Sequence, residues 1–175
     1  MTRARRSRAA SRGVTAVEAA VTFAVVGSLL AVAVPAFVRE LHASRFVEPV
    51  DGLTKMGEAA VAYAKDRPVA SAFPASAPQT PAVVPRGTRE VDPPGAWETP
   101  TWQALAFRPA PDGAPHAFAF GFDSTLAAPR STFTGYAHGD LDGDGITSTF
   151  EVRGHATEAD GPVVDPGMVV DAEVE

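Results

Sequence analysis

The chain has 175 residues, no cysteine, sixteen prolines, fifteen glycines and a formal charge of −6. The lack of cysteine excludes a disulfide framework, a zinc ribbon and a thiol nucleophile. Arg3, Arg5, Arg6, Arg8 and Arg12 all precede Gly13, so beyond that glycine the formal charge falls by five, from −6 to −11, and so acidic a body is a poor match for nucleic acid.

In chain order, residues 1–13 read as a basic leader that the positive-inside rule holds in the cytoplasm, leaving everything past Val38 outside. From Val14 to Val38 the chain is apolar over about 37 Å at 1.5 Å per residue, enough for a hydrocarbon core of about 30 Å. A secretory signal peptide is usually shorter and ends at a small-residue cleavage site, whereas this run leads into Arg39, Glu40 and more helical pattern. Glu18, near the start, is the one carboxylate in the run. An intramembrane charge costs at least about 2.5 kcal/mol at the bilayer centre, which calls for a partner, and an amino group freed by cutting after Gly13 suits it. Pro35 predicts a kink or loosening rather than a stop.

Val50, Leu53, Met56, Ala60, Val61 and Ala64 recur at helical spacing, so residues 14–64 are expected to form one long helix, with an irregularity possible at Pro49. Residues 65–116 form a proline-rich connection, with eleven of the sixteen prolines lying between Pro68 and Pro115. Within it, Thr99 as cap and Pro100 at the first helical position predict a short helix near 100–106, turning Trp102, Leu105 and Ala106 inward. Residues 117–153 supply three β-prone runs. In Ala117–Phe122, Phe118, Phe120 and Phe122 share one face; Ser131–His138 and Ile146–Arg153 follow, joined by an aspartate- and glycine-rich connection. Residues 154–175 are an acidic segment with Pro162 and Pro166, expected as a sheet edge or a partly ordered tail. The fold class is α+β, a long N-terminal helix packed by its outer half on a small antiparallel sheet.

Asp140-Leu141-Asp142-Gly143-Asp144-Gly145-Ile146-Thr147-Ser148-Thr149-Phe150-Glu151 fits a twelve-residue calcium loop. Asp140, Asp142 and Asp144 alternate, Gly145 sits at the turn, Ile146 offers a carbonyl and Glu151 closes the site. No amphipathic helix flanks it. If a strand follows, Glu151 points away from the ion, and the same residues also make a hairpin turn that binds no metal. The histidines have no oriented partners in the pattern, no nucleophile elbow or H-E-x-x-H occurs, and Trp97 and Trp102 read as core, so no enzyme is expected.

The basic leader, Gly13, Glu18 five residues after it, the apolar run and Ala31–Phe37 around Pro35 together resemble the class III signal of type IV pilins and their relatives, over residues 8–64. The resemblance implies cleavage after Gly13 by a prepilin peptidase, methylation of the new terminus at Val14, and pairing of Glu18 with the amino group of a neighbouring copy as the helices bundle into a filament. It implies a precursor in the inner membrane, handled by membrane assembly machinery, and then an extracellular or periplasmic filament. It implies calcium as well, since calcium braces the major pseudopilins of type II secretion. Val14 departs from the family's usual phenylalanine, and Thr15-Ala16-Val17-Glu18 is also similar to pseudopilins of tight-adherence systems. The rival of another class is a membrane-anchored calcium-binding module that never polymerises.

Overall fold

The computed structural model describes residues 13–171, with residues 38–45 described by their backbone alone. The leader before Gly13 and the last four residues lie outside the described residues. The chain divides into two compact units, with the boundary between Ala43 and Ser44.

Helix α1, Ala16–Arg45, supplies most of the described first unit, extends two residues past its boundary and runs through Pro35 without ending. Its stretch Ala16–Phe37 is 22 residues long with a mean hydropathy of 2.2, long and apolar enough to cross a membrane. Only three polar side chains occur there: Glu18, Thr22 and Ser28. The Thr22 hydroxyl donates to the Glu18 carbonyl and the Ser28 hydroxyl to the Ala24 carbonyl, both at 2.8 Å. Back-bonding of this kind satisfies a hydroxyl within the helix.

The expected single helix is two. Helix α2, Val47–Ala64, begins after a one-residue turn at Phe46. Pro49 explains the break: it has no N–H for the Arg45 carbonyl and its ring clashes there, whereas in the first turn of a new helix its missing donor costs nothing. The buried face of α2 also differs from the expected one. Val50 is exposed, and Gly52 and Gly57 are buried beside Leu53, Met56, Ala60 and Ala64. A Cβ at Gly52 would overlap the Phe120 ring, and one at Gly57 would press on Val164. The glycines let α2 lie flat on the sheet, which turns Val50 outward.

The second unit's sheet runs β1 (Ala77–Thr80), β2 (Phe118–Thr125), β3 (Arg130–Gly139), β4 (Ser148–Thr157) and β5 (Gly161–Val164), with β6 (Val169–Asp171) also on β4. All pairings are antiparallel. Strands β5 and β6 border successive stretches of β4, so residues 161–171 form an interrupted edge, compatible with Pro162 and Pro166 because an edge needs fewer donors. Strand β1 is the other edge. Its Pro78 hid it from sequence patterning.

Strand alternation places the core. Phe118, Phe120, Phe122, Phe133 and Phe150 are at most 2% exposed, and α2 packs on this layer through Leu53 and Met56. Ala119 and Gly121, on the opposite face of β2, are buried too. Tyr136 stands opposite Gly121, and its ring occupies the space a Cβ there would need, so a cross-strand aromatic covers the glycine.

The proline-rich connection is pinned by aromatics. Helix α3 is Pro100–Ala104, with Thr99 at the cap position but no side-chain cap bond. Trp102 and Leu105 are buried as expected, whereas Ala106 is exposed. Ala106 instead takes φ 47° and ends the helix in a Schellman turn: its N–H donates to the Gln103 carbonyl, and the Phe107 N–H donates to that of Trp102. Phe107 then takes the inward position, its ring 5.5 Å from that of Trp102.

Candidate functional site

The first candidate is the start of α1. Thr15 is the residue before the helix, and Glu18 folds back on it. The Thr15 N–H donates to Glu18 Oε2 at 2.9 Å, the Thr15 hydroxyl donates to the same oxygen at 2.8 Å, and the Glu18 N–H donates to Thr15 Oγ1 at 3.2 Å. This is a reciprocal capping box, which satisfies donors a helix start leaves open and puts a carboxylate at the positive end of the dipole. The threonine–x–x–glutamate spacing carries that signal in the sequence alongside the processing motif. Gly13 and Val14 are exposed beside it, and a side chain at Gly13 would meet nothing. Val17 within the box and Phe23, Leu29, Val32 and Val34 beyond it are exposed, as is Pro35 on the same segment.

The second candidate is the connection between β3 and β4. The ladder closes at the pair Gly139 and Ser148, where the Ser148 hydroxyl donates to the Gly139 carbonyl, so residues 140–147 form the loop. Asp140 is 2% exposed, while Asp142 and Asp144 are exposed. Their ligand oxygens lie within 4.8 Å of one another. Asp140 accepts the N–H groups of Gly143 and Gly145 at 2.8 and 3.1 Å, Asp142 accepts that of Asp144, and Asp144 accepts that of Ile146 at 2.7 Å. Gly143 and Gly145 have φ of 84° and 96°, which explains glycine at both positions.

Glu151 does not join this group. The loop ends at Ser148, so position twelve falls inside β4, and the Glu151 carboxylate accepts from Arg153 at 2.6 Å. Glu151 stands three residues up β4 from the base of the loop, opposite Tyr136. Ile146 stays in the loop with its side chain exposed. Sequence reading also missed the segment lying against the loop: the Gly87 N–H donates to the Asp140 carbonyl at 2.8 Å, and Arg86 Nε is 3.8 Å from Asp140 Oδ2. As a fit for calcium, three convergent carboxylates offer the hard oxygen donors the ion takes, with further oxygens needed from carbonyls and water to reach six or more.

The three histidines whose side chains are described, His116, His138 and His155, are tied into the fold. His116 is buried, with Nδ1 2.8 Å from the Phe118 carbonyl and Nε2 2.5 Å from Asp92, so neither nitrogen is left for a substrate. His138 Nδ1 meets the Thr149 hydroxyl at 2.9 Å; burial pushes its ring below the ordinary histidine range, against the opposing pull of Glu151 and the Ser148 backbone. His155 pairs with Asp165 at 2.7 Å. Tyr136 is pushed up by burial, with Asp123 adding to the effect.

No protein-family model, curated protein or solved structure matches this chain.

Proposed function

We propose that this chain is a structural subunit of a type IV pilus or pilus-like filament, processed after Gly13 by a prepilin peptidase and assembled through its N-terminal helix with copies of itself or related subunits. It acts as a scaffold and catalyses no reaction. The observation that carries this reading is the segment Ala16–Phe37, an exposed apolar helix whose three polar side chains bond within the segment or to Thr15, headed by Glu18 five residues after Gly13. Such a surface is content in lipid and equally content against other helices, so leaving the membrane for a filament costs little. Membership of a secretion or tight-adherence system is the variant of the same reading.

The Thr15–Glu18 box favours one rival, an anchored module that never polymerises, because it gives the carboxylate work within its own chain. Glu18→Gln separates the two. Glutamine serves a capping box but carries no charge for a neighbour's amino group. The filament reading expects sheared filaments from cells producing the wild-type chain and none from the Glu18→Gln variant, scored by electron microscopy. Filaments of normal yield from the variant reject a charge-based assembly role.

Calcium belongs to the proposal at Asp140, Asp142 and Asp144, with the Ile146 carbonyl alongside and Glu151 left out. It would neutralise three crowded carboxylates and brace a body that has no disulfide. A ligand at one hundred times its Kd stabilises by about 2.7 kcal/mol, so millimolar calcium should raise the melting temperature and a chelator reverse it. An unchanged midpoint rejects a stabilising site.

A further inference from the structure

A cavity lies within the proline-rich connection, lined by residues 91–98 and 108–116 and by none of the acidic loop. It measures about 410 Å³, within the range of small-molecule sites. Its walls include Pro93, Pro94, Pro109 and Pro111, with the Trp97 indole alongside. Proline rings make stiff apolar walls, because their φ is fixed and they carry no N–H to satisfy.

The polar groups in this cavity are few and their charges can be followed. Asp92 receives two donors on one oxygen: Trp97 Nε1–H and His116 Nε2 both reach Oδ2 at 2.5 Å. Its other oxygen, Oδ1, has no donor among the described residues, and Asp92 lines the cavity. The Asp92 carboxylate lies against the His116 ring and offsets any charge on it. Arg108 is held in an ion pair by Asp112, and these two cancel. Glu98 remains as an uncompensated carboxylate at the cavity lining, its own N–H bonded back to Gly95. The site therefore combines rigid apolar walls, an aromatic ring, a free carboxylate oxygen and a net negative charge of at least one.

We propose that this cavity binds an organic ammonium ion, its apolar body against the prolines and Trp97 and its charged nitrogen between Asp92 Oδ1 and Glu98. Anions are excluded by the same carboxylates. A neutral body of equal shape gains the walls but not the charge.

The test uses the full-length chain in detergent micelles, with benzylamine, benzyl alcohol and benzoate as probes and the Trp97 indole N–H resonance as reporter, since that proton is bonded to Asp92. Benzylamine should shift it saturably, benzyl alcohol weakly, and benzoate not at all. Glu98→Gln, at an exposed position, should fold normally and bind benzylamine about two- to fivefold more weakly, as losing a partly solvated ion pair implies. A parallel titration with Nα-acetyl-lysine N-methylamide asks whether a lysine side chain is the better occupant; tighter binding than benzylamine assigns the cavity to a protein partner's lysine, weaker binding to a free amine. Absence of a saturable shift with either amine, binding of benzoate as tight as that of benzylamine, or unchanged affinity in the Glu98→Gln variant would overturn the proposal.

Discussion

Helix α1 and the β-sheet body use the same apolar residue types in opposite ways. In the body, Phe118, Phe120 and Phe122 are 0% exposed; in α1, Phe23 is 78%, Val32 74% and Leu29 66% exposed. Burying one such side chain is worth about 1.5–3 kcal/mol, so the body gathers its stability within this chain while α1 leaves the same free energy unclaimed. Under the proposed function, lipid or other helices cover α1. The contrast teaches that, if the proposed function holds, the two regions answer to different solvents, and mutations should separate them cleanly.

The sharpest separation comes from paired phenylalanines. Phe120→Ala removes a fully buried ring that packs on Gly52 and stands 5.5 Å from Phe107, and should cost the body about 3–5 kcal/mol in chemical denaturation. Phe23→Ala should leave that transition in place and show its effect only in membrane retention or assembly. Equal losses from both would contradict that separation.

A smaller effect is expected at Ala106, which takes left-handed φ where an L side chain costs about 1–2 kcal/mol. Ala106→Gly removes that cost and adds some backbone entropy to the unfolded chain, so a net stabilisation of about 0.5–1 kcal/mol should appear as a higher denaturation midpoint. A lower midpoint would contradict the Schellman geometry assigned to residues 102–107.

The smallest effect concerns pH. Burial holds His138 below the ordinary histidine range in the folded body, so as pH falls through about 6.5 the unfolded chain takes up its proton first. Stability contributed by the neutral ring is therefore complete above that pH and declines on acidification, levelling off below the folded-state value. The decline should flatten in His138→Gln, measured by denaturation between pH 7.5 and 5.5. An identical slope would assign it to other groups.

Much of the body was legible in the sequence because alternation is a strong signal where one sheet face is buried. Phe118, Phe120 and Phe122 marked β2, and the threonine- and aromatic-rich runs marked β3 and β4. The break at Phe46 was only half legible: Pro49 flagged an irregularity, but that it starts a second helix follows from where its missing donor is harmless. The rotated face of α2 was hidden because glycine carries no hydrophobic signal, yet Gly52 and Gly57 decide how closely the helix approaches. The three aspartates were legible as a cluster, whereas the exclusion of Glu151 depends on where the β3–β4 ladder closes at Ser148. The Asp92–His116 pair joins residues far apart in the chain and left no local trace.

The central claim is that α1 belongs to a processed, assembling subunit, and the mass of the mature chain isolated from producing cells tests it most directly. Cleavage after Gly13 gives an amino terminus at Val14, carrying the methyl group that the pilin resemblance implies. An intact Met1, or a terminus just past Val38, would contradict the claim.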